Sequence, residues 1–190
     1  MSRADARVVE PRWVREFLAP SYRTGETRHA HALSVLARLF GGSETSRLSR
    51  ALVTQDRIAL SASASYGAAS LGLSIFEIAV HPARGRGVAE IEAAVDDQMK
   101  RVLDGGVTAS EVERVQNQLL AGAIYAQDSL ASGPRLYGSM LCTGGTIDDI
   151  DAWPRRIANV RPDDVVAAAR HVWRDDRSIT SLLTPAEGWR

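Results

Sequence analysis

The sequence holds a single cysteine, Cys142. An intrachain disulfide, a Cys-x-x-Cys redox pair and a cysteine-rich zinc site are therefore all excluded. We expect Cys142 to sit in the interior as a small apolar residue. Lysine is almost absent too: Lys100 is the only one among 23 basic residues. That bias fits a GC-rich bacterial gene and carries little mechanism. Net charge is missing altogether, since 23 acidic residues balance the 23 basic ones. No long-range field would then draw in a polyanion or an anionic bilayer, and neither nucleic acid nor membrane is an expected partner. No apolar run approaches the ~20 residues needed to span a bilayer. From Met1 to Arg15 charged residues alternate with isolated apolar ones, without the apolar centre of a secretion signal. A bacterial cytoplasmic protein is expected, or a piece cut from a longer exported chain that works in the periplasm.

What is present is ordinary globular composition, 45% hydrophobic and 24% charged over 190 residues. We read residues 1–190 as one domain, without repeat or linker. Trp13 to Leu18 alternates large apolar residues with Arg15 and Glu16, as a strand does. From Arg28 to Phe40 apolar residues recur at helical spacing, and Gly41-Gly42 supplies the stop. Ser43 is expected to cap a second helix reaching about Thr54.

Ile58 to Tyr66 reads as a strand with Ile58, Leu60, Ala62 and Ala64 on one face and Ser61, Ser63 and Ser65 on the other. A second strand, Leu71 to Val80, is expected to turn Leu73, Ile75 and Ile78 to the core, with Gly67 to Ser70 as the hairpin turn. Val88 to Leu103 is helical. Thr108 and Glu111 form a capping box that opens a helix to about Gln127, packed antiparallel to its predecessor. Ser129 to Leu141 should be a helix broken near Gly133-Pro134. Ile147 to Ala158 is a short helix, Pro162 sits at the first position of another that ends near Trp173, and Ser178 to Leu183 is a strand. Strands at both ends and in the middle, with helices grouped between them, imply an α+β fold: an antiparallel sheet covered on one face by helices.

The stretch from Leu33 to Leu48, a helix ending in Gly41-Gly42 and followed by Ser46-Arg47-Leu48, resembles C-terminal domains of the insulinase/pitrilysin metallopeptidases. Thr108 to Leu120, with its capping Thr and Asn-Gln-Leu, is similar to a later segment of that family, and Arg161-Pro-Asp-Asp-Val165 to its usual helix start. The resemblance covers about Pro11 to Pro185. It implies repeated α/β domains that enclose a peptide, with zinc held by a different, N-terminal domain or partner subunit on His-x-x-Glu-His. Here the residues three after His29, His31, His81 and His171 are Ala32, Ser34, Arg84 and Arg174, so that motif does not occur. The chain is expected to be a non-catalytic, substrate-enclosing domain, inactive alone and carrying no cofactor, in a zinc-dependent endopeptidase. The alternative is an inert core-type subunit of a larger assembly.

Relatives place an Arg and a Tyr seven positions apart after Ser-Arg-Leu, where they contact the substrate. The matching positions here are Val53 and Leu60, which can supply neither charge nor hydrogen bond. Arg57 stands where relatives often have Gly. Ser61, Ser63 and Ser65 are the candidate substrate contacts. They form either an open edge to which a peptide adds as a strand, or a small-residue face packed beneath a helix. His29 and His31 would point about 200° apart on a helix, which suits exposed helix-start histidines and not a metal pair. Trp153, Trp173 and Trp189 are candidates for a surface that a partner covers.

Overall fold

Five strands form one sheet in a computed structural model that describes residues 1–126 and 128–186. The strands are β1 (Ser2–Asp5), β2 (Arg12–Ala19), β3 (Ala59–Tyr66), β4 (Ser74–Pro82) and β5 (Ser178–Pro185), in the order β1-β5-β2-β4-β3. All neighbours are antiparallel except β1, which pairs parallel with β5 and was not expected from the sequence. The helices are α1 (Ala30–Gly41), α2 (Val88–Gly105), α3 (Ala109–Ala126), α4 (Ser132–Cys142), α5 (Ile147–Ala158) and α6 (Pro162–Val172). The fold is α+β, as the sequence implied.

The core lies between the sheet and the helices. Trp13 and Phe17 of β2 stand opposite Val80 and Phe76 of β4, and all four are fully buried. Leu33, Leu36 and Phe40 of α1 pack over them, and Trp173 meets both Phe40 and Phe76 edge-on or tilted at ring distances of 4.8 and 5.9 Å. Trp173 is thus a core residue and not part of a partner-covered surface. Trp153 is half-buried, with its indole N–H donating to the Tyr22 hydroxyl. Trp189 lies outside the described residues. Cys142 is exposed, because α4 lies at the rim of the helical layer with only Met140 buried. The expected interior position was wrong.

Strand faces differ from the sequence reading where small residues blur the alternation. In β4 Ile78 turns inward as expected, but it does so with Phe76 and Val80, while Ile75, and Leu73 just before the strand, are exposed. Phe76 must oppose Phe17 to fill the core, and a one-residue change of register would reverse every side chain of the strand. In β3 a register shift between Ala59 and Ser61 turns Leu60 out to solvent, so it does not share a face with Ala62 and Ala64. The β3–β4 connection spans residues 67–73, longer than a tight hairpin turn.

Two helix starts also differ. Residues 43–46 form turns and Ser43 caps no helix. Instead the chain coils into a wide helical segment, Ser49–Gln55, in which the Asp56 amide donates five residues back to Ala51. Gly133 and Pro134 fall in the first turn of α4 and do not break it. Nor do α2 and α3 form an antiparallel pair. Gly106, at φ 73°, turns the chain between them; α2 then packs on α6 and β4, and α3 on α1 and α5.

Arg57 is the one described non-glycine residue with positive φ, at 54°. That left-handed backbone costs a side-chain-bearing residue about 1 kcal/mol. Arg57→Gly is therefore expected to leave stability unchanged or raise it by up to about 1 kcal/mol, whereas glycine elsewhere in a rigid segment lowers it. A urea midpoint compared with the parent chain tests this.

Candidate functional site

The Gly41-Gly42 and Ser46-Arg47-Leu48 positions prove to be structural hardware. A Cβ on Gly41 would lie 2.0 Å from the Ala64 nitrogen, so the end of α1 touches the β3 backbone directly. Leu48 is fully buried and Ser46 nearly so, its hydroxyl bonded to that of Ser49. Ser49 in turn donates to the Ala62 carbonyl at 3.1 Å, holding the wide segment against β3. Arg47 donates two hydrogen bonds to the Glu111 carboxylate, at 2.9 and 2.8 Å, and one to the Gly106 carbonyl. Glu111 also accepts from the Thr108 amide while Thr108 caps the Glu111 amide, which realises the capping box. With the guanidinium first and Thr108 adding to it, the Glu111 carboxyl is held down at about 2.

Val53 packs against the core, half-buried, and Leu60 stands exposed on the bulged strand. Neither offers a polar group to a peptide. The histidines are not the exposed helix-start residues the sequence suggested. His29 stacks on His171 with ring centroids 4.9 Å apart, and burial with that neighbour lowers its pKa. His31 packs against Tyr22, and burial pulls it down to about 4. Their neighbours do not assemble a zinc site. Among the described residues no three His, Cys, Asp or Glu side chains converge as metal ligands.

Two surfaces remain that could meet a ligand. One is a groove of about 1270 Å³ that runs along the end of β3 and the start of the connection after it, from Ala64 to Ala69, walled by Arg38 of α1, Leu119 of α3, Tyr137 of α4 and Trp153 of α5. The other is the sheet face turned away from the helices. The helices take the face bearing Trp13, Arg15 and Phe17: Glu92 accepts from Trp13, and Asp96 pairs with Arg15. The opposite face carries Val14, Glu16 and Leu18 of β2, Ile75, Glu77 and Ala79 of β4, and Ser61, Ser63 and Ser65 of β3. All three serines are exposed on the edge strand, which decides against their lying beneath a helix. The helix lies on the other side of β3, over Ala62 and Ala64.

The profile of the peptidase M16 inactive domain matches residues 17–119. The chain belongs to the peptidase M16 family, as its inactive domain. It is 34% identical over 154 residues to an uncharacterized zinc protease of Streptomyces coelicolor, a match covering 79% of this chain and 32% of that protein. The M16 domain thus spans about a third of the length of that relative. Its fold is similar to a protease from Helicobacter pylori, with a TM-score of 0.88 at 18% identity over 97% of this chain and 43% of the other. It is also similar to the inactive peptidase domain of a candidate zinc protease from Bordetella parapertussis, with a TM-score of 0.82 at 14% identity. That likeness covers 100% of this chain and 97% of the other. The non-catalytic reading of this M16 domain therefore rests on family membership.

Proposed function

We propose that this M16 domain forms one wall of a peptide-enclosing chamber, completed by a zinc-bearing domain or subunit that supplies the metal and the water-activating carboxylate. The observation that carries the reading is the sheet face bearing Ser61, Ser63 and Ser65, where Leu18, Ile75 and Ile179 are half exposed while α1, α2 and α6 pack on the other side. An antiparallel sheet with one bare face offers a broad platform, and its β3 edge offers backbone groups to an extended peptide. The substrate on this reading is an unfolded or extended peptide. The compartment, bacterial cytoplasm or periplasm, follows that of the zinc-bearing partner.

The test measures zinc content and cleavage of an unfolded peptide by the purified chain, with and without a zinc-bearing M16 partner domain. Neither zinc nor cleavage is expected from the chain alone, and cleavage should appear when the two are mixed. Chelator-sensitive cleavage by the chain alone would overturn the reading. A stable complex that stays inactive would favour the scaffold alternative.

A further inference from the structure

His31 stands in the first turn of α1 with its ring against Tyr22, 4.9 Å between centroids. Its Nδ1 is buried and has no hydrogen-bond partner among the described residues. Beside it lies a cavity of about 30 Å³, room for one water, lined by Tyr22, Arg23, Asp149, Trp153 and Arg156. The charges around this cavity are already committed. Asp149 of α5 accepts from Arg156 on Oδ1 at 3.0 Å, and on Oδ2 from Arg23 and from the amide and hydroxyl of Thr146. One carboxylate thus serves two guanidiniums. The Tyr22 phenol, pushed up by burial, stays neutral and accepts from the Trp153 indole. α4 faces the cavity with Met140, and its one charged residue, Arg135, is exposed. Within α1, His29 turns to His171 and the Ser34 hydroxyl to the Ala30 carbonyl. A proton on His31 would therefore enter a partly buried site that already carries net positive charge. Burial first and Arg156 second hold its pKa down at about 4, which Asp149 only partly offsets.

The wall across that cavity is thinly anchored. α4 buries only Met140 and α5 only Ile157. Tyr22, Met140 and Trp153 line both the cavity and the larger groove of about 1270 Å³, so a movement of α5 opens the two together. We propose that His31 is an acid-sensitive latch on this wall: neutral, it lets α5 close on Tyr22 and α1; protonated, it pushes α5 away and widens the groove. The sign follows from linkage. A free imidazole takes its proton near 6.5 and the closed pocket only near 4, so the open form binds the proton first. The closing contribution is fully present above about pH 6.5 and is lost as pH falls toward about 4. The latch is built into this chain and stands whether or not the chamber reading does.

The test follows amide hydrogen exchange of the whole chain at about pH 7 and about pH 5, corrected for intrinsic exchange rates, with α5 compared against Phe76 and Ile78 of the core strand β4. Opening of α5 is expected to rise about 10-fold at the lower pH while the β4 amides hold. In His31→Gln, neutral throughout, that rise should disappear, and in Arg156→Met, which removes a like charge, it should shrink. His29→Gln should leave it intact, since His29 faces His171. The proposal fails if α5 does not respond to pH, if the response survives in His31→Gln, or if β4 loses protection in step with α5, which would mean global unfolding. A His31 ring that titrates near 6.5 by nuclear magnetic resonance would overturn it as well.

Discussion

Gly41→Ala is expected to destabilise the chain by about 3 kcal/mol or more, although it adds a single methyl group. The new carbon would lie 2.0 Å from the Ala64 nitrogen, 2.4 Å from the Ser63 carbonyl carbon and 2.8 Å from the Ala64 Cβ. Two of those atoms are backbone in the middle of β3, so no side-chain rotation can make room. Either α1 lifts off the sheet, pulling Leu36 and Phe40 out of the core they share with Phe76, or β3 slides. The measurement is a thermal melt followed by circular dichroism, where about 3 kcal/mol in a chain of this size corresponds to a fall of roughly 10 °C. Gly122→Ala is the control. Gly122 lies exposed in α3 with nothing within 4 Å of the added carbon, and that substitution should hold the midpoint or raise it. Equal melts for the two variants would mean that α1 does not sit on β3 as described.

The contrast between those two glycines shows where sequence reasoning had purchase. Helix limits were legible because their signals are local. Thr108 with Glu111, Pro162, and Gly41-Gly42 each act within a turn of the residue they cap or stop, and α3, α6 and α1 begin or end there. The order of elements followed, and with it the α+β class. Strand faces were not legible to the same degree. Leu73 and Ile75 lost the interior to Phe76 and Val80 because the register is chosen by Phe17, nearly sixty residues away in the chain. The short, polar β1 was invisible for a related reason: its partner β5 lies at the opposite end of the sequence, and no periodicity in four residues announces a parallel pairing.

The candidate site divides along the same line. That no zinc motif exists could be read directly from the spacing of the histidines. The three serines could be read as one face of a strand, but whether a helix covered it depended on which side of the sheet the helices took. The enclosure of His31 by Tyr22 and Arg156 depends on where α5 packs and had no sequence signal at all. Conversely, Gly41, Gly42 and Ser46-Arg47-Leu48 stood out as a motif, and the structure makes them joints of the scaffold. A recognisable segment can mark the fold and not the chemistry.

Arg47 is the joint whose loss should be felt most after Gly41. Arg47→Met keeps the stem but removes the guanidinium, and with it two hydrogen bonds to Glu111 and one to the Gly106 carbonyl, all in a setting where both side chains are about four-fifths buried. Glu111 would be left with only the Thr108 cap. The expected loss at neutral pH is roughly 2 kcal/mol, more than an exposed ion pair contributes and less than a fully enclosed one. Its pH dependence has a definite sign. The Glu111 carboxyl is lowered from 4.5 to about 2 in the folded chain, so the unfolded chain binds the extra proton first. The stabilisation is therefore complete above about pH 4.5 and is lost as pH falls toward about 2. Urea midpoints for the parent and Arg47→Met should accordingly lie far apart at pH 7 and draw together below pH 4.5. A gap that stays constant across that window would assign the loss to packing of the side chain, and the clasp between α3 and the Ser46-Arg47-Leu48 turn would not be electrostatic.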